Sequence, residues 1–174
     1  MENLDLIPSN INLSGAEIEL IGVDDKEYIL KGITDKLRRK YDYIILDCPP
    51  SLNMLTINAL TAATSVLVPI QCEYYALEGL SQLIHTIDLV KDRLNKKLAM
   101  EGVVFTMYDA RTNLSLQVVE NVKDNLQQNI YKTIIPRNVR LAEAPSYGQP
   151  INIYDSRSAG AEAYRLLAEE VINR

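Results

Sequence analysis

The sequence predicts an α/β protein with a mostly parallel sheet and helices on both faces. Short apolar runs rich in β-branched residues recur along the chain, each brief and continuous enough to be a strand buried on both sides. Segments with apolar residues at helical spacing lie between them. Strands that alternate with helices need crossover connections, so neighbouring strands run parallel and the helices cover the sheet.

The strand candidates are LDLIP (4–8), YIILDCP (43–49), SVLVPIQ (65–71), GVVFTMY (102–108) and IYKTIIP (130–136). Helices are expected from Tyr28 to Lys40, Met54 to Ala62, Ala76 to Lys97, Asn113 to Gln128 and Gly160 to Asn173. The third of these is the clearest, because Leu80, Leu83, Ile84, Ile87, Val90 and Leu94 form one apolar stripe. In the last, Ala161, Tyr164, Ala168 and Val171 share a face while Glu162, Glu169 and Glu170 lie elsewhere, which suits packing on a sheet better than binding anionic lipid. With 174 residues, 47% of them hydrophobic, and no repeat, low-complexity stretch or linker, residues 1–174 are expected to form a single domain.

Charged residues make up 24% of the chain and its mean hydropathy is −0.07. No apolar run approaches the roughly 20 residues that span a bilayer. The opening MENLDLIPSN has no basic region or long apolar stretch, so a cytoplasmic protein without a membrane partner is expected. Cys48 and Cys72 lack metal-ligand spacing and read as buried, reduced thiols. His85, the one histidine, falls within the helical pattern and reads as a helix-face residue. The net charge of −5 argues against coating DNA by bulk electrostatics. The charge is uneven, however: residues 1–30 hold seven acidic side chains against Lys26, whereas residues 131–157 hold Lys132, Arg137, Arg140 and Arg157 against Glu143 and Asp155.

Ligands of open α/β sheets gather at the carboxyl ends of the strands. Four predicted strand ends are chemically pointed: Asp47-Cys48-Pro49-Pro50, Pro69 to Glu73, Met107-Tyr108-Asp109 with Arg111, and Pro136-Arg137-Asn138. Asp47 sits where backbone pairing stops, so its carboxylate can reach a ligand. Mg2+ prefers oxygen ligands and keeps much of its water, so one carboxylate suffices where phosphates supply the rest. Pro49 and Pro50 stiffen the loop and remove two donors. The competing reading of that stretch is an aspartate that caps the turn before the next helix.

The longer stretches YDYIILDCPPSLNMLTINALTAATSVLVPIQCEYYALEGL, TMYDARTNLSLQVVENV and TIIPRNVRLAEAPSYGQPINIYDSRSAGAEAY closely resemble the ParA/Soj partition ATPases, within the P-loop family that includes MinD. The resemblance runs from LIPSNINLSGAEIEL to the final helix and implies a P-loop NTPase-like fold. It matches Asp47 to the Walker B aspartate, which handles magnesium, and DCPPS to the switch segment that responds to the γ-phosphate. It places Pro136, Arg137 and Asn138 in the loop beside the adenine. It also matches Arg111 and Arg140 to arginines that bind DNA non-specifically in the ATP-bound dimer. For the complete family member it implies ATP and Mg2+ as cofactors, a homodimer, a ParB-type protein partner and association with the nucleoid. From residues alone, Asn138 reads as a turn or helix cap, and the two arginines read equally as surface cations paired with Glu143 or Asp155.

The family begins with a strand, a KGGxGKT-type loop, a helix and a second carboxylate-bearing strand. Here the glycines at 15, 22, 32, 79, 102, 148 and 160 are never closer than seven positions, and none precedes a lysine. Neither GxxxxGK[ST] nor GxGxxG is present. The chain is therefore expected to correspond to the C-terminal two-thirds of the family's domain, without its N-terminal strands and P-loop. Phosphoryl transfer depends on positioning and charge neutralisation, so no ATP hydrolysis and no tight nucleotide binding are expected of this chain alone. The alternative reading is a non-catalytic interaction module, or a truncated product, that modulates full-length dimers. Absent strands would leave uncovered apolar faces, with dimerisation or poor solubility as the consequence.

Overall fold

The structure, a computed structural model, describes residues 3–49, 51–125 and 129–174. The chain forms two compact units, one of residues 1–64 with 86–98 and the other of residues 65–85 with 99–174.

The second unit holds a sheet of three parallel strands in the order β1 (Ser65–Gln71), β2 (Ala99–Tyr108), β3 (Ile130–Pro136). Alternation along β2 sorts its side chains between two faces. Val103 and Phe105 pack with Val68, Ile70, Cys72, with Leu80 of α4 (Ala76–Arg93), and with Val118, Val119 and Val122 of α5 (Asn113–Asn125). Val104 packs on the opposite side with Tyr131, Ile135, and with Ala163 and Leu167 of α8 (Ala159–Ile172). The expected parallel sheet with helices on both faces is thus present. Helix α4 begins in this unit and ends in the other. The helix predicted to reach Gln128 is observed to Asn125, and residues 126–128 lie outside the described residues.

The second unit also holds the short α7 (Ile151–Tyr154). In the first unit, the short α1 (Ala16–Glu19) precedes α2 (Ile29–Leu37), which lies against α3 (Met54–Ala62). The α3 sequence MLTINALTA carries no charge, and Thr56 and residues 58–62 are buried. Polar groups at its two ends come from elsewhere in the same unit. Asn53 caps the N-terminus by accepting from the Thr56 amide at 3.2 Å. At the C-terminus, Arg38 donates to the Ala62 carbonyl at 3.1 Å, and the Asn95 amide donates to Leu60 and Ala63 at 3.0 and 2.8 Å. The buried Asn58 amide donates to the carbonyls of Lys26 and Met54 and accepts from the Leu30 N–H. Its hydrogen bonding is satisfied, as burial requires.

Three expectations are corrected. Residues 4–8 and 43–49 are not strands, because a strand has no internal hydrogen bonds and no described segment pairs with either. Just before the second segment, the Tyr41 hydroxyl donates to Asp5. Ile45 is 89% exposed. Cys48, expected to be buried, is exposed with the same segment, whereas Cys72 is buried in the sheet core. Desolvation, then the adjacent Glu73 carboxylate, pushes the Cys72 thiol up to about 11. On α8 the buried face is Gly160, Ala161 and Ala163, with Leu167 and Val171 partly buried, while Tyr164 and Ala168 face solvent. Ala161 and Val171 of the predicted stripe therefore face the core, while Ala163 and Leu167 take the places expected of Tyr164 and Ala168, because Ala and Tyr give weak cues to a buried face.

Candidate functional site

Asp47 lies in irregular backbone of the first unit, exposed, between the intermediate Leu46 and the exposed Cys48 and Pro49. Pro50 lies outside the described residues. The Asp47 carboxylate forms no hydrogen bond or ion pair among the described residues. It does not cap α3, since Asn53 does so, and the Thr56 hydroxyl donates to the Ser51 carbonyl at 2.6 Å. Partial desolvation and then the Asp47 charge raise the Cys48 thiol, so Cys48 is no activated nucleophile.

In the second unit the three strands bring their carboxyl ends together. Cys72 extends the β1–β2 pairing by donating to the Thr106 carbonyl at 3.0 Å, and the Arg137 amide donates to the Tyr108 carbonyl at 2.8 Å. Between Phe105 and Tyr108 the register with β3 shifts, and Met107 takes φ = +54°, a left-handed conformation at an irregularity that redirects the end of β2. Charges gather beyond this edge. The Arg137 guanidinium, after β3, pairs with Glu73, after β1, at 2.5 Å. Arg111 reaches back to Asp109 through Nε and Nη2 at 2.9 and 2.7 Å and through its amide at 3.0 Å. These hydrogen bonds, with the charges of Arg111 and Arg137, hold the Asp109 carboxyl well below the usual carboxylate range and raise Arg111.

Arg140 lies in the short helix α6 (Val139–Glu143), which Asn138 caps by accepting from the Leu141 amide at 3.3 Å. Its guanidinium pairs with Glu143 at 2.9 Å and approaches Asp155 at 3.4 Å. The Tyr154 hydroxyl also donates to Glu143, at 3.1 Å, and the Tyr154 ring stacks on Tyr147. Gly148, at φ = +62°, ends that turn in a conformation that favours glycine. Pro136 closes β3 opposite Tyr108. Pro136, Arg137 and Asn138 therefore follow one another from strand end to helix cap. The Glu73–Arg137 pair was missed in the sequence, although opposite charges immediately after two predicted parallel strands were the signal for it.

Among the described residues no group of three or more His, Cys, Asp or Glu side chains gathers as a metal site. The exposed and unpaired Asp47 suits a magnesium ion held through water, with the remaining ligands coming from phosphate. The sequence contains no glycine-rich loop to cradle a triphosphate. The residues present thus fit the ion but not the whole nucleotide. No helix among the described residues is long and apolar enough to cross a membrane.

Comparison with known proteins relates the chain as a whole to one family. Residues 1–100 match the family model described as "AAA domain". The sporulation initiation inhibitor protein Soj of Bacillus subtilis is 60% identical over 171 residues, 98% of this chain and 68% of the relative. The chromosome partitioning protein ParA of Myxococcus xanthus is 54% identical, over 98% of this chain and 60% of its own length. Among solved structures, cobyrinic acid a,c-diamide synthase of Mycobacterium smegmatis with bound ADP and magnesium is 38% identical with a TM-score of 0.81, over 95% of this chain and 61% of that one. The chain spans 60–68% of the lengths of these relatives.

Proposed function

Because the chain belongs to the ParA/Soj family of partition ATPases, we propose that it carries the magnesium-handling and DNA-facing parts of a chromosome- or plasmid-partitioning ATPase. The reading is carried by likeness to named partition proteins along nearly the whole chain. Asp47 is the magnesium-handling carboxylate, and Pro49 to Ser51 form the segment that responds to the nucleotide. Pro136, Arg137 and Asn138 face the base, through backbone groups and an amide beside the α6 cap.

In the complete family member, ATP with Mg2+ assembles a homodimer that holds DNA non-specifically in the cytoplasm, at the nucleoid. A ParB-type partner stimulates hydrolysis and release. This chain alone does not hydrolyse ATP, because nothing in its sequence holds the β- and γ-phosphates in line.

Arg111 and Arg140 are the DNA-facing side chains. Both are exposed, at 87% and 54% of the side chain, and each presents a planar fork that matches phosphate. Two arginines in each subunit give weak, salt-sensitive binding that dimerisation multiplies. The test is retention of duplex DNA by the wild-type chain and by Arg111→Ala and Arg140→Ala, at about 50 mM salt where phosphate contacts are strongest. Each substitution is expected to weaken retention. Unchanged retention in both would remove the DNA-facing assignment.

A further inference from the structure

The two arginines assigned to DNA share one local arrangement. Each is more exposed than the carboxylates it meets: Arg111 at 87% against 17% for Asp109, and Arg140 at 54% against 38% for Glu143 and 34% for Asp155. Asp109 takes Nε and Nη2 of Arg111 together, the two-pronged edge by which guanidinium also grips phosphate. Glu143 takes Nη1 of Arg140 while Asp155 lies nearest its Nε.

The acids are fixed more firmly than the bases. The Asp109 amide donates to the buried Ser115 hydroxyl at 3.2 Å, and its carbonyl accepts from the Thr112 amide and hydroxyl at 3.1 and 3.0 Å. Glu143 is held by the Tyr154 hydroxyl. Among the described residues the Arg111 side chain has no hydrogen-bond partner besides Asp109. The loop therefore anchors the Asp109 backbone and leaves the Arg111 guanidinium exposed on the Asp109 carboxylate.

We propose that Asp109, and Glu143 with Asp155, are built-in competitors that occupy the phosphate-gripping edges of Arg111 and Arg140. A nucleic-acid backbone binds there only by displacing them. The proposal rests on the reading that these arginines face DNA, and it adds the residues that set how weakly they do so. A site with cation and anion in contact exerts little attraction at a distance, so the surface discriminates against low phosphate density and favours a polyanion that engages several copies at once. Asp109, like any ordinary carboxylate, is ionised at neutral pH, and the Arg111 hydrogen bonds hold it still lower, so the competition operates there continuously.

The experiment measures binding of a mixed-sequence DNA duplex by fluorescence anisotropy at low salt. Four forms are compared with wild type: Asp109→Asn, Arg111→Ala, the double variant, and Asp24→Asn. The last is an exposed site in the first unit that changes net charge equally. Asp109→Asn is expected to bind about three- to tenfold tighter, the effect of one unmasked surface charge near phosphate. The double variant should lose that gain, and Asp24→Asn should show none. No gain in Asp109→Asn, whether it and wild type both bind or neither does, overturns the competition, as does an equal gain in Asp24→Asn. Weaker binding by Arg111→Ala with no gain in Asp109→Asn would leave the DNA-facing reading standing and sink the competition alone. A gain that survives in the double variant would remove both Arg111's contact with DNA and its competitor.

Discussion

The Glu170 carboxylate accepts from the Lys132 and Thr133 amides at 2.9 and 3.0 Å, from the Thr133 hydroxyl at 2.9 Å and from Arg174 at 2.8 Å. Those amides belong to β3, an edge strand, so one side chain satisfies donors that would otherwise be open to another chain. Desolvation alone would raise this carboxyl, but the hydrogen bonds outweigh it and bring it from 4.5 down to about 2. Its folded value lies below its unfolded one, so the stabilisation is complete above about pH 4.5 and is lost as pH falls toward 2. Glu170→Gln is expected to cost on the order of 2 kcal/mol at neutral pH and to flatten the acid limb of a pH–stability curve. Chemical unfolding of both forms from pH 7 to 2 checks this, and parallel curves would contradict it. Nothing in EEVINR distinguishes Glu170 from Glu169, because the distinction arises only when α8 docks on β3. The role proposed for Asp47 comes instead from the likeness of DCPPS to a family segment, because the strand expected before it is not formed.

The elements join through contacts that leave no room for side-chain atoms at particular points. A β-carbon on Gly102 would lie 2.8 Å from the Tyr131 ring, 2.9 Å from the Asn129 carbonyl and 3.0 Å from the Arg174 guanidinium. The carbonyl belongs to the strand ladder and cannot retreat, since it accepts from the Val103 amide. Around this point the Tyr131 hydroxyl donates to Glu101 at 2.7 Å, Ser65 donates to the same carboxylate at 2.6 Å, and Arg174 lies 3.7 Å over the Tyr131 ring. Gly102→Ala is expected to destabilise the chain by about 1–3 kcal/mol, as overpacking does. A thermal-denaturation midpoint unchanged from wild type would refute that. The three strands, α4 and α5 were readable because sustained apolar patterns dominate their local sequence. The same β-branched signal failed at 4–8 and 43–49, because periodicity reports a strand's faces and carries no information on whether a neighbour exists to pair with it.

In the whole molecule, a well-packed sheet unit contrasts with a first unit that leaves Leu6, Ile7, Ile11 and Ile45 more than three-quarters exposed. The chemistry divides in the same way. Asp47 lies in the first unit, and the residues proposed to face the base and DNA lie in the second. A phosphate cradle is absent from the sequence. The function proposed for this chain gives it a magnesium carboxylate and a DNA-facing surface without ATP hydrolysis by the chain alone. Magnesium-dependent ATP turnover by the purified 174-residue chain, beside Asp47→Ala, tests it most directly. No turnover above background is expected in either form. Turnover that requires magnesium and disappears in Asp47→Ala would contradict it, because the chain would then hold a triphosphate without a glycine-rich loop.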